Sequence, residues 1–427
     1  MREGLRLVFL LFQKGLNFLL GLFGLQAEIK LVRTSNGKAD HFFYLRPIDF
    51  EIGELSPRVN LLIPYMARDE SIFAGTRMVL ALGASLVNAN IPIRFLVTDE
   101  LYREGIETKA LEQFIQYFPE TKDQNIKIEY VQRSNGKQVK VNKDDLFLAS
   151  AWWTVYQMRQ LFDDTKFSFK RLFYLIQDFE PGFYPWGTDF ALAYQTYSFD
   201  VLPIFSTSEL RDYFFSIYGN RFSREETAVY LPEISKKIFY PKDLPSYKRQ
   251  GIRRLFCYYR PSIPRNMYLL LVESLKAAVS EGYFSEEKWE FWSGGEDHSP
   301  IPLGRNLFLQ SKGKMSLMDY ANFLKDCDLG ISLMCSPHPS YPPFEMAQSG
   351  LVTITNRFLG KDLSKLSKNI LSCDPEPNAL KATIQKAIQR VSSFEERIKN
   401  SSLPFPDNYL DCFSEAVQFI KTFRTFP

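Results

Sequence analysis

The chain has 427 residues, too many for one hydrophobic core to absorb, and this predicts two domains. Its apolar share of 45% and charged share of 24% are those of a folded protein, and a net charge of +3 argues against nucleic acid as a partner. Cys257, Cys327, Cys335, Cys373 and Cys412 form no CxxC, and with His41, His298 and His338 they complete no zinc pattern, so neither a metal nor a disulfide framework is expected and a reducing compartment is the simpler setting.

Aromatic residues make up 15% of the chain, which suits large cores and also surfaces that meet sugars or lipid headgroups. In chain order, residues 5–25 (LRLVFLLFQKGLNFLLGLFGL) start like a secretory signal, but Gln13, Lys14 and Asn17 interrupt the apolar run and no small-x-small cleavage site follows. The uninterrupted run is too short to span a bilayer. With Arg6, Gln13, Lys14 and Asn17 on one side of a helix, the pattern predicts either an interfacial membrane helix or one packed on protein.

Short apolar strands and helices then alternate. Strands are expected at 58–64, 93–99, 172–178 and 201–206, with helices at 77–88, 147–161 and 190–199. The pattern weakens over 222–250, read as the domain linker. A second series follows, with strands at 254–259, 290–294, 329–333 and 351–355 and helices at 266–280, 320–327, 344–349 and 378–394. Residues 408–423 read as one more helix. The fold class this predicts is α/β, with two doubly wound, mostly parallel domains facing a central cleft.

Chemistry collects at the strand–helix junctions. Arg260 and Arg265 follow a strand and precede a helix, where guanidinium forks and free N–H groups suit a diphosphate, unless the arginines merely solvate a turn. Gly75, and Gly295 in Ser293–Glu296, would let backbone approach a ligand, or simply make turns. In HPSYPPFEMAQSG (338–350), Pro343 suits the first turn of a helix and sets Glu345 near its start. There Glu345 either stabilises the helix or accepts hydrogen bonds from a sugar's hydroxyl pair, with His338, Ser340 and Tyr341 lining the same pocket. Asp178 and Glu180, among Phe179, Phe183, Tyr184 and Trp186, form a candidate saccharide-facing wall or a small loop core. Asp326-Cys327-Asp328 precedes a strand instead of following one, so it reads as capping and a divalent metal is not demanded. Arginines and helix dipoles would neutralise a leaving diphosphate instead.

The stretches YLIQDFEPGFYPWGTDFALAYQTY (174–197), STSEL (206–210), LMDYANFLKDCDLGISLM (317–334) and HPSYPPFEMAQSG followed by LVTITN resemble bacterial glycosyltransferases of the GT-B fold, family 4, specifically the WsaF-like rhamnosyltransferases. The resemblance implies two Rossmann-like domains: an acceptor-side domain at 29–240 and a nucleotide-sugar-binding domain at 241–403. The amphipathic helix would occupy 1–28, and 404–427 would cross back to the N-terminal domain. It implies retaining transfer of a rhamnosyl residue from dTDP-L-rhamnose to a growing cell-surface glycan, with no metal or cofactor in the transfer step. By the same resemblance Arg260 holds the diphosphate with Arg265 in support, and Glu345 orients the donor; Asp178 and Glu180, from their place after the third strand, would position the acceptor or line its path.

Related enzymes carry two glutamates in the loop and helix where Glu345 is the second. The first falls on Pro337, a departure that suits a deoxysugar donor. The expected partners are a nucleotide sugar, a free or lipid-linked glycan acceptor, a membrane surface and a second copy of the chain. The expected place is the cytoplasm, at the inner face of the plasma membrane. The rival readings are a transferase or epimerase using another nucleotide sugar, a phosphorylase, and a non-catalytic glycan-binding partner in a synthase complex.

Overall fold

The structure, a computed structural model, describes residues 42–66, 74–132, 137–249 and 251–423. The amphipathic helix expected over 1–28 lies outside the described residues. Among the described residues no helix is long and apolar enough to cross a membrane.

The first sheet is built from β1 (Val59–Ile63), β2 (Ile93–Val97), β3 (Lys127–Tyr130), β4 (Leu146–Ala149), β5 (Leu172–Ile176), β6 (Val201–Ser206) and β7 (Ala228–Tyr230). They are ordered β3-β2-β1-β4-β5-β6-β7 and every neighbouring pair is parallel. Strands covered on both faces read as unbroken apolar runs, as LFYLI of β5 does. The helices are α1 (Ala74–Asn88), α2 (Ile106–Tyr117), α3 (Trp152–Gln157), α4 (Thr188–Gln195) and α5 (Ser208–Tyr218). Leu61, Phe95, Leu148 and Phe173 face α1 and α2, whereas Leu62, Leu96, Phe147 and Tyr174 turn to the face covered by α5. Gly83 lets α1 lie tight on β2, because a Cβ there would sit 2.4 Å from the Phe95 ring.

The second sheet holds β8 (Arg253–Tyr259), β9 (Trp289–Gly295), β10 (Ile301–Gly304), β11 (Leu307–Ser311), β12 (Leu329–Ile331), β13 (Val352–Asn356) and β14 (Ile370–Cys373). Its order is β10-β11-β9-β8-β12-β13-β14, and only the edge strand β10 is antiparallel. Its helices are α6 (Tyr268–Ser280), α7 (Leu317–Lys325), α8 (Pro342–Gln348) and α9 (Pro377–Arg390). The last helix, α10 (Ser414–Thr422), packs Ala416, Val417, Phe419 and Ile420 into the core of the first sheet.

Both sheets belong to one compact unit. Two segments connect them and run side by side: Leu231 N–H donates to Cys412 O at 3.1 Å, and Ile234 N–H donates to Pro406 O at 3.3 Å. In each sheet the strand order reverses at one point, between β1 and β4 and between β8 and β12. Ligands of such sheets bind outside the carboxyl ends of the strands at that reversal.

Three expectations need correction, the first being the single helix expected over 408–423, which breaks at Phe413 into Tyr409–Cys412 and α10. The helix expected over 147–161 is instead β4 followed by α3 and a second short helix, Arg159–Asp163. LFLA is four consecutive buried residues, too short a run for periodicity to separate strand from helix. The Thr154 hydroxyl accepts from Ser150 N and Ala151 N, both at 3.1 Å, and so ends the strand and starts the helix. The expected linker at 222–250 contains β7, an edge strand of three residues.

Candidate functional site

The two reversal points face one cavity of about 570 Å³. From the first sheet come Gly75 and Met78 on α1, Ser150 and Trp153 after β4, and Gln177, Asp178, Glu180, Phe183 and Tyr184 after β5, with Ser206 and Tyr230 at the ends of β6 and β7. From the second come Tyr258, Arg260, Arg265 and Asn266 around the end of β8, and Met334, His338, Ser340, Tyr341 and Glu345 after β12. Of the candidates drawn from the sequence, Gly75, Asp178, Arg260, Arg265, His338, Ser340, Tyr341 and Glu345 are brought together here. Gly295 is not among the lining residues.

Gly295 lies behind Arg260. Its φ of +123° is one L-residues avoid, and a Cβ would sit 2.8 Å from both Arg260 Cγ and Tyr259 O. Arg260 Nε is 3.5 Å from Glu296 Oε1, and Ser262 N–H donates to the same carboxylate at 3.0 Å. This pairing holds the guanidinium at the strand end. Arg265 lies 4.3 Å over the Phe183 ring, a cation–π contact that reaches the opposite sheet. Its Nε is buried without a hydrogen-bond partner. A donor in that state is what an anionic ligand would satisfy.

The loop from Met334 to Tyr341 joins the two sheets. Ser336 donates its hydroxyl hydrogen to Asp178 Oδ1, which also accepts from Phe179 N–H at 2.8 Å. Tyr341 donates to Met78 Sδ at 3.4 Å. Ser340 N–H donates to His338 Nδ1 at 3.0 Å, so the other ring nitrogen carries the proton of the neutral ring. That Nε2 lies 3.0 Å from Ser206 Oγ. Burial, the largest influence, lowers the His338 pKa and keeps the ring neutral.

The loop is held in an uncommon conformation, with Ser340 at φ +69°. Opposite it Thr207, next to Ser206, stands at φ +75°, costly for a β-branched residue. Lys361 supports the loop from below, donating to Met334 O at 3.0 Å and His338 O at 3.4 Å. Burial lowers its pKa to about 8.

The carboxylates divide by role. Glu345 is half-buried in the first turn of α8 and faces the cavity. Burial raises its pKa to about 7, against the lowering influence of the Tyr320 hydroxyl. Glu180 also lines the cavity, but both its oxygens are engaged. Oε2 accepts from Trp152 N–H and Oε1 from the Tyr174 hydroxyl, each at 2.9 Å. Burial raises its pKa to about 7 as well. Glu180→Ala should therefore strand two buried donors and lower the unfolding free energy by about 1–3 kcal/mol; an unchanged urea midpoint would refute that anchoring role.

The expected aromatic wall is split. Phe183 and Tyr184 line the cavity, Phe179 packs in the core and Trp186 is exposed. Asp326 and Asp328 lie at the far end of β12. Asp328 is buried and pairs with Arg397 at 2.9 Å, while Asp326 pairs with Lys242 and Arg254. Among the described residues no group of three His, Cys, Asp or Glu could hold a metal. Ser206, Tyr230, Trp153 and Lys361 escaped the sequence reading. Ser206 ends a recognised strand, and that position is the signal that could have found it.

Residues 58–208 match the N-terminal domain of WsaF and residues 253–385 its C-terminal domain, together about two thirds of the chain. The O-antigen biosynthesis protein RfbC of Myxococcus xanthus is 29% identical over 245 residues, which is 57% of this chain and 18% of that protein. The chain thus spans under a fifth of that relative's length. Among solved structures, sucrose-phosphate synthase from Thermosynechococcus elongatus superposes with a TM-score of 0.55 at 12% identity, covering 86% of this chain and 98% of that one. OtsA superposes with a TM-score of 0.56 at 13% identity, covering 87% and 100%. These likenesses establish the GT-B fold. By its two matched domains the chain belongs to the WsaF family.

Proposed function

We propose that this GT-B glycosyltransferase moves a rhamnosyl residue from dTDP-L-rhamnose to a growing cell-surface glycan, with retention of anomeric configuration. The observation that carries the reading is the convergence of Arg260, Arg265 and Glu345 at the reversal point of the second sheet, facing Asp178 from the first. The biosynthetic role named for the Myxococcus xanthus relative supports a surface-glycan setting. Pro337, where related enzymes keep a glutamate, supports a deoxysugar.

The nucleotide lies against the second sheet, with its diphosphate on Arg260 and Arg265. Glu345 accepts hydrogen bonds from a sugar hydroxyl pair of the donor. The acceptor enters over Asp178, whose Oδ2 makes no hydrogen bond among the described residues. In the transfer, the bond from the anomeric carbon to the β-phosphate oxygen breaks and one to the acceptor oxygen forms. The departing phosphate takes the acceptor's proton, and dTDP leaves.

A panel of nucleotide sugars, assayed for nucleotide release with and without rhamnan oligosaccharides, tests the reading. Acceptor-dependent dTDP release from dTDP-L-rhamnose is expected. Release from another donor alone would replace the donor assignment. Glycan binding without turnover of any donor would favour a non-catalytic partner, a reading that Pro337 specifically invites.

A further inference from the structure

Trp186, Phe190 and Tyr194 form a stacked column outside the cavity. The Trp186 and Phe190 rings lie 5.1 Å apart at 11°, and Phe190 and Tyr194 lie 6.0 Å apart at 10°. Phe190 and Tyr194 are four residues apart on α4, and so share one face of that helix. Tyr194 leans in turn on Tyr218 of α5 at 5.5 Å. Trp186 ends the column and is 90% exposed. No other large apolar side chain among the described residues is so open. The indole is held parallel to its neighbour while most of its surface remains in water.

From this geometry we infer that the column is an outlying subsite for the acceptor glycan, with a sugar ring seated on the indole of Trp186. The inference rests on the reading of the cavity as a glycosyl-transfer site. Three observations carry it. The column continues the acceptor side of the cavity, since Phe183 and Tyr184 line that cavity and Trp186 follows in the same loop. The loop is fixed at the cavity end, where Trp152 Nε1–H donates to the Tyr184 hydroxyl at 3.0 Å. The chain from Leu172 to Leu210 contains no Lys or Arg; basic groups reach it from Arg265 over Phe183 and from Arg221 at the Tyr197 and Ser198 carbonyls, before and after the column and not on it, and the Asp189 carboxylate accepts from the Tyr44 hydroxyl at 3.2 Å. A surface for anionic lipid would carry basic residues among its aromatics. A neutral saccharide needs an apolar face and a polar neighbour, and both are present here. The stacked rings are already ordered, so contact forms without immobilising flexible side chains.

The test compares rhamnobiose with rhamnohexaose by titration calorimetry on the full chain. The hexaose should bind about tenfold more weakly to Trp186→Ala than to the unaltered protein. Trp186→Phe should recover most of the loss, and biose binding should not change. Equal hexaose binding by Trp186→Ala, a parallel loss for both sugars, or no hexaose binding by the unaltered protein would each overturn the inference. Flotation on vesicles of phosphatidylglycerol and phosphatidylethanolamine should be the same with and without Trp186; loss in the variant would make the column a membrane face instead. Hexaose binding with no turnover of any donor would remove the transfer reading and leave the subsite standing.

Discussion

Arg260→Ala should lower kcat by about 10²–10³-fold, the usual consequence of removing a preorganised donor from a developing anion. The side chain is preset before any ligand arrives. Glu296 lies at its Nε, and the missing Cβ of Gly295 leaves room for its stem. Arg260→Lys should recover only part of the rate, because a point charge does not reproduce the guanidinium fork. Gly295→Ala should reproduce part of the Arg260→Ala defect without touching a ligand, since the new methyl would press on Arg260 Cγ. Steady-state nucleotide release measures all three. Near-normal kcat in Arg260→Ala would take the residue out of the site.

The second large effect is expected at Glu345. Glu345→Gln should reduce kcat/KM for the donor by about 10–100-fold, the range for a hydrogen bond to a charged group. It should also flatten the pH profile. The group holds its proton in the folded protein up to about pH 7, whereas an unperturbed glutamate releases it near 4.5. Donor affinity in the unaltered protein should therefore rise as pH increases through 7 and the carboxylate forms. Stability runs the other way. The contribution from this raised pKa is fully present below 4.5, declines between 4.5 and 7, and is level above. Glu180 adds a second contribution of the same sign. A profile through pH 7 that survives in Glu345→Gln would assign the titration to another group.

Much of this architecture was legible because parallel strands buried on both faces leave runs such as LLIP and LFYLI that few other structures produce. What was lost is instructive. LFLA of β4 supports one side of the first reversal point, yet it carries neither alternation nor length. The arginines and Glu345 could be picked out because strand–helix junctions are where such sheets bind ligands. Glu180 and Asp178 looked equivalent in sequence, two positions apart. Only the fold separates them, by giving both oxygens of Glu180 to Trp152 and Tyr174. Trp186 and Phe183 looked like one wall, and the turn between them sends one outward. Lys361 left no trace, because its partners are carbonyls in a loop more than twenty residues away.

The His338 ring has a consequence for the path of the proton. With the two sheets drawn together, one ring nitrogen already receives the Ser340 amide hydrogen and the other meets Ser206. A histidine beside a reacting hydroxyl would ordinarily be the first choice for a base. This one has no free lone pair, because Nδ1 accepts from Ser340 N–H and Nε2 carries the proton. Its place is that of a latch between the two sheets, and in the proposed transfer the acceptor's hydrogen would travel instead to an oxygen that the donor brings.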